Sequence, residues 1–230
     1  GAEQPDLLFL PMTDWHSRIQ RTQHLALGLA AAGHRCFYLN PHLGFQFRRI
    51  YCRERGHRIS TLAAGLYELH LRLPREPVVH HRMATSRECG ILADALGRLM
   101  RAAGVKKLVQ LVSLPFWLGV AVKLRREYGF PIVYDCHDLL SGFRNMRREV
   151  VAAEADLLEC SDLALFSSQP LLDAKLAEFP SLRGKSLLVR NAAAGGYGAL
   201  HGEAVPARSR SGPEKVIGYV GALDEWFDMA

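Results

Sequence analysis

Short apolar runs alternate with stretches of helical periodicity along most of the chain. Leu7 to Leu10 is an apolar run stopped by Pro11. From Gln20 to Ala32 the residues Leu25, Leu27, Leu29 and Ala30 recur at helical spacing, and Gly33 provides the C-terminal stop. Arg35 to Leu39 reads as the second strand, and a strand, a helix, a glycine and a strand make a βαβ unit whose crossover requires parallel pairing. Tyr67 to Leu73 alternates as Tyr-Glu-Leu-His-Leu-Arg-Leu, the period-two mark of a strand with one wet face, on which His70 is expected. Thr85 to Ala103 is a helix with Ile91, Leu92, Leu96, Leu99 and Met100 on one stripe, ended by Gly104. Leu108 to Val112 is a strand, and Pro115 to Tyr128 is a helix opened by Pro115 and closed by Gly129. Ile132, Val133 and Tyr134 have the β-branched and aromatic character of a buried strand entered through Pro131. Met146 to Cys160 is a helix with Val150, Val151, Leu157 and Leu158 inward and Arg147, Arg148, Glu149, Glu154 and Glu159 mostly outward. Asp162 to Phe166 and Leu187 to Val189 complete the strands.

Strands alternating with helices in this way predict an α/β fold with a Rossmann-like, doubly wound, mostly parallel sheet. From Ala192 to Glu214 the composition shifts to Ala, Gly, Ser, Pro and Arg without apolar periodicity, as an interdomain linker does. Val216 to Gly221 is a fresh strand with only nine residues after it, too few for a second core. The expected organisation is a domain over 1–191, a linker over 192–214 and the start of a second α/β domain over 215–230.

Chemistry concentrates where the strand at Ile132 ends. Asp135, His137 and Asp138 fall at its carboxyl end and in the loop beyond, the edge of a parallel sheet where ligands bind. An imidazole flanked by two carboxylates is biased toward imidazolium and suits proton handling or an anionic group. The plainer reading is that Asp135 and Asp138 cap a turn and His137 packs half-buried.

The loop after the first strand, Thr13 to Arg21, lacks the Gly-x-Gly-x-x-Gly fingerprint, and Asn40-Pro41 rather than an acid closes the second strand, which argues against a nicotinamide dehydrogenase. Trp15, His16, Arg18, Gln20 and Arg21 supply stacking surface and forked donors of the kind sugars and phosphates require. They suit a helix N-terminus with solvent-facing charges equally well. Ser167 and Ser168, before Pro170, suit N-capping or a phosphate or sugar hydroxyl.

The chain has 230 residues, 49% of them hydrophobic, and a net charge of +6. Nine arginines against three glutamates lie between His42 and Arg87, a segment that could face a membrane, a phosphorylated substrate or only water. Nucleic acid is disfavoured, because no recognised binding motif accompanies the charge. No eighteen-residue apolar run and no signal peptide is readable. Five scattered cysteines without a Cys-x-x-Cys pair argue for a reducing compartment and against zinc, and His80 and His81 lack a third ligand.

In order and spacing the landmarks resemble the N-terminal half of a GT-B-fold glycosyltransferase of the family 4-like, or group 1, kind. Those landmarks are Trp15-His16-Ser17-Arg18-Ile19-Gln20-Arg21 with Gly33-His34-Arg35, Val133 to Asp138, Ala155 to Leu158, Ser161-Asp162 before Ser167-Ser168, Asn191, and Ile217 to Asp228. The resemblance implies transfer of a sugar from a nucleotide-sugar donor to a glycan or lipid-linked acceptor, with this domain on the acceptor side. His137 would lie by the reacting sugar, with Asp135 and Asp138 beside it. Trp15, His16, Arg18 and Arg21, with Ser167 and Asn191, would contact substrate, and Gly221 would approach donor phosphate. It further implies no metal or other cofactor, a cytoplasmic location with peripheral contact to an anionic membrane, and an inactive fragment in the absence of the acidic donor motif of the second domain. The first loop lacks the paired glycines common in that family. A GT-B-like sugar-nucleotide epimerase and a flavodoxin-like binding module are the alternatives.

Overall fold

A computed structural model describes residues 4–44 and 57–192. The arginines at 48, 49 and 53, the linker from Ala193 onward and the strand carrying Gly221 lie outside the described residues. Eight strands form one sheet: β1 (Asp6–Leu10), β2 (Cys36–Leu39), β3 (Arg58–Ala63), β4 (Leu66–His70), β5 (Leu108–Val112), β6 (Ile132–Cys136), β7 (Leu163–Phe166) and β8 (Ser186–Leu188). Their order is β3-β4-β2-β1-β5-β6-β7-β8, and every pairing is parallel except β3 with β4.

The chain moves outward from β1 to β2 and β4, then crosses to the other side of β1 and continues through β5 to β8. Right-handed crossovers therefore put the helices on opposite faces for the two directions of travel. Among the described residues helix α1 (Arg21–Ala31) is the one helix on one face, where Leu25, Ala26, Leu29 and Ala30 meet Leu7, Phe9, Tyr38 and Leu66. Helices α2 (Ser86–Ala102), α3 (Leu118–Tyr128), α4 (Arg148–Cys160) and α5 (Gln169–Glu178) cover the other, burying Leu8, Leu10, Leu39, Val112 and Ile132. Both faces of the central strands are thus dry, which is why β1 reads as a continuous apolar run from Leu7 to Leu10, while the one polar residue of β5, Gln110, is buried and donates to the carbonyls of Ala121 and Phe130. The order reverses between β1 and β5, so the crevice of the fold opens at their carboxyl ends.

The helix boundaries follow the punctuation of the sequence. Thr85 and Glu88 form a reciprocal capping box at the start of α2, and Gly129 closes α3 at φ 73°.

Three details differ from the sequence reading. Strand β3 lies inside the arginine-rich segment, where its edge position leaves it half-exposed and without an apolar signature. The face of β4 expected to be wet is covered: Glu68 is only 1% exposed, and His70 is half-buried beside it. Glu154, expected outward on α4, is 4% exposed, because it stands four residues after Val150 and four before Leu158, on the apolar stripe itself. Its carboxylate accepts from Tyr134 Oη at 2.7 Å and from Lys175 Nζ at 2.7 Å, so a polar triad joins β6, α4 and α5 inside the core.

Candidate functional site

The first loop is built by one buried side chain. Gln23, fully buried in α1, accepts from Gln20 N at 3.1 Å and donates to the carbonyls of Asp14 at 3.0 Å and Arg18 at 2.9 Å. This satisfies an otherwise orphaned donor at the helix start and folds the loop over the sheet edge. Arg21 follows as the first helical residue, and its guanidinium is carried to the carboxyl end of β6.

There Arg21 Nε donates to both oxygens of Asp135, at 2.9 and 3.1 Å, and Nη1 donates to Asn191 Oδ1 at 3.0 Å. The Arg21 side chain is 7% exposed and that of Asp135 is 0%. Burial pushes the Asp135 pKa up, opposed by His137 and Arg21. Among the described residues Arg21 Nη2 is buried without a hydrogen-bond partner.

His137 sits on this pair. Its Nδ1 lies 3.0 Å from the Asp135 carbonyl oxygen, and since a carbonyl can only accept, Nδ1 carries the proton. The other ring nitrogen, Nε2, stands 3.6 Å from Asp138 Oδ2. Asp138 is about half-exposed and brings a carboxylate to the mouth of the site. Ser167 at the end of β7 donates from Oγ to the His137 carbonyl at 2.7 Å, so its hydroxyl proton is spent on fixing the β6 loop. Ser168 caps α5 through Leu171 N.

Six of the expected residues thus converge: Arg21, Asp135, His137, Asp138, Ser167 and Asn191. Trp15, His16 and Arg18 go elsewhere. Trp15 packs edge-on against Tyr38, with ring centroids 5.1 Å apart. His16 Nε2 lies 2.9 Å from Glu68 Oε2, in the middle of β4, with three strands between it and β6. Glu68 also accepts from Asn40 Nδ2 at 2.8 Å and lies 3.0 Å from His70 Nε2. Burial works against its ionised form, but the hydrogen bonds from His70, Asn40 and His16 win and hold its pKa at about 2.

Arg18 lines a half-open cleft of about 490 Å³ between the first loop, the segment after β2 and residues 76–80. Sequence reasoning overlooked three of its polar residues, Asp14, His42 and Glu76, and also Gln23, Asn40 and Glu68. The Gln20-x-x-Gln23 spacing of a capping box was the one available signal. His137 and Asp135 are not among the residues lining the cleft.

No family model matches the chain, and neither does any curated protein. Among solved structures it is similar to sucrose-phosphate synthase from Thermosynechococcus elongatus, with a TM-score of 0.59 and 15% identity over 83% of this chain. The chain spans about half of that protein, 49% of its length. A second structure of that synthase matches with a TM-score of 0.54 and 16% identity, covering 86% of this chain and 94% of the other. At this identity the likeness shows the fold alone: the chain has a Rossmann-like, mostly parallel α/β architecture of the GT-B kind. Among the described residues no helix is long and apolar enough to cross a membrane.

Proposed function

We propose that this chain forms the acceptor-side half of a glycosyltransferase that moves a sugar from a nucleotide-sugar donor to a glycan or lipid-linked acceptor. The observation that carries the reading is the fixed imidazole of His137. Its proton is pinned on Nδ1 by the Asp135 carbonyl, its loop is tied down by Ser167, and its Nε2 is left to meet a sugar hydroxyl at the sheet edge. In this role Nε2 accepts from, or when protonated donates to, the reacting sugar as the glycosyl bond breaks. Asp135 and Arg21 hold the ring's support in place, and Asp138 faces the same opening.

The donor diphosphate is neutralised by protein hydrogen-bond donors, without a metal cofactor, and Gly221 approaches it from the second domain. The acceptor belongs to a cell-envelope polysaccharide, and the protein works in the cytoplasm with peripheral contact to an anionic membrane through the arginine-rich segment. Arg82 stands outside that contact, since both terminal nitrogens of its guanidinium are paired with Glu88 at 2.6 and 2.7 Å.

The test is nucleotide release by the full-length two-domain protein from a panel of UDP-, GDP- and ADP-sugars, with His137→Ala in parallel. Release from one donor, lowered about 100-fold or more in the variant, supports the reading. No release from any donor by the folded protein, or full activity in His137→Ala, overturns it.

A further inference from the structure

All three nitrogens of the Arg21 guanidinium are accounted for inside the domain. Nε donates to both carboxylate oxygens of Asp135, Nη1 donates to Asn191 Oδ1, and Nη2 is buried. What the guanidinium controls is the acid beside His137. His137 Nδ1 has two acceptors near it on the same residue: the Asp135 carbonyl oxygen at 3.0 Å, and the Asp135 carboxylate, whose Oδ2 is 3.8 Å away. The carboxylate is the stronger acceptor, since a bond to it is charge-assisted. It stands out of hydrogen-bond reach, with both of its oxygens turned onto Arg21 Nε. The charged groups around the ring come from two elements. Asp135 and Asp138 face it from its own segment, the latter with Oδ2 3.6 Å from Nε2, and Arg21 reaches it from α1 through Asp135. The contact from β7 is the uncharged hydroxyl of Ser167, on the His137 carbonyl.

We infer that Arg21 is a positioning residue for His137: by occupying both carboxylate oxygens of Asp135, it leaves the imidazole anchored through Nδ1 to an uncharged carbonyl. A buried carboxylate that loses its guanidinium keeps its charge only by drawing in another cation, and the imidazolium of His137, 3.8 Å away, is the one within reach. In that arrangement both ring nitrogens carry protons, and Nε2 has no lone pair with which to accept from a hydroxyl. With Arg21 in place the ring is free to exchange a proton at Nε2. The inference rests on the sugar-transfer reading, in which Nε2 meets the reacting sugar, and it adds the residue that sets the state of that nitrogen.

The experiment follows the His137 imidazole by heteronuclear NMR across pH in the 230-residue chain, with His137→Ala to assign its signals. The parent is compared with Arg21→Met, Arg21→Gln and the double variant Arg21→Met with Asp135→Asn. In Arg21→Met the Nδ1 proton resonance is expected to move downfield as its bond becomes charge-assisted, and the His137 titration midpoint to rise by about one pH unit or more. Arg21→Gln, which leaves Asp135 one neutral donor, is expected to shift the same way, and it decides the matter if Arg21→Met loses the circular dichroism of the parent. Removing the carboxylate as well returns both signals toward the parent. In the two-domain protein either single variant lowers kcat about tenfold or more at neutral pH, with KM little changed, and carries the pH–rate profile to higher pH. A purely structural role would reduce the folded fraction and leave midpoint and profile where they are. Unmoved His137 signals in a folded single variant, or a shift that persists in the double variant, overturn the inference. Its failure is separable from that of the transfer reading, because the NMR signals need no turnover. Shifted signals without any donor turnover by the two-domain parent refute transfer and keep the role of Arg21. Turnover with unmoved signals does the reverse.

Discussion

Arg21 and Asp135 are 114 residues apart in sequence, yet Nε of one donates to both carboxylate oxygens of the other at the carboxyl edge of the sheet. Both side chains are out of water. Removing one partner of such a pair strands a buried charge, at a cost of about 3–5 kcal/mol. Arg21→Met is therefore expected to lose stability on that scale in urea denaturation. Pairing it with Asp135→Asn, which removes the stranded charge, should recover a large part of the loss. Equal stability of Arg21→Met and the parent would show that the pair is not buried in solution.

Glu68 sets a pH dependence. Its folded pKa of about 2 lies below the unfolded value of 4.5, so its contribution is fully present above pH 4.5 and is lost as pH falls toward 2. At 1.36 kcal/mol per pKa unit, the difference amounts to about 3 kcal/mol. Glu68→Gln should flatten the stability profile between about pH 4.5 and 2, which chemical denaturation at a series of pH values will show. An unchanged slope refutes the assignment.

The Glu154–Lys175 pair makes a similar claim deeper in the core. Lys175→Met leaves the Glu154 carboxylate with Tyr134 as its remaining strong donor and is expected to cost about 3–5 kcal/mol. The double variant Glu154→Leu with Lys175→Met should lie much nearer the parent, because two well-packed apolar side chains replace a buried ion pair at little net cost. Thermal unfolding of the three proteins decides it.

A single methyl group tests the packing of α2 on α3. A Cβ on Gly97 would come within 2.1 Å of Tyr128 Oη and 2.6 Å of its Cζ, so Tyr128 must swing out of place. That movement also breaks its hydrogen bond from Arg101 Nη1 at 2.7 Å. Gly97→Ala is expected to destabilise by about 1–3 kcal/mol despite its better helix propensity. A gain in melting temperature would contradict the contact.

Much of the scaffold was readable because its signals are local. Thr85 and Glu88 cap α2, Pro115 and Gly129 bracket the segment containing α3, and β5 spans the same residues in the sequence reading and in the structure. Failures occur where polarity depends on a distant partner. Glu154 looks solvent-facing by type; its place on the apolar stripe buries it, and Tyr134, 20 residues back, and Lys175, 21 residues on, satisfy its carboxylate there. Glu68 likewise needs Asn40 and His16, 28 and 52 residues away. The site divides the same way. His16 and Arg21 are neighbours in the chain and were grouped together, but a loop folded around Gln23 sends one to β4 and the other to β6. The identity of the residues at the end of β6 was legible; the proton on His137 Nδ1 and the internal use of Ser167 were not, since both depend on carbonyl directions that no residue pattern encodes.

The hydrogen bond from Arg21 to Asn191 spans 170 residues, joining α1 to the segment after β8. The partners of the Arg21 guanidinium come from far along the chain, Asp135 from β6 and Asn191 from the segment after β8. A chain that stops before Asn191 therefore leaves Arg21 without one of its two side-chain partners, and an intact Arg21–Asn191 contact reports that the segment after β8 is in place.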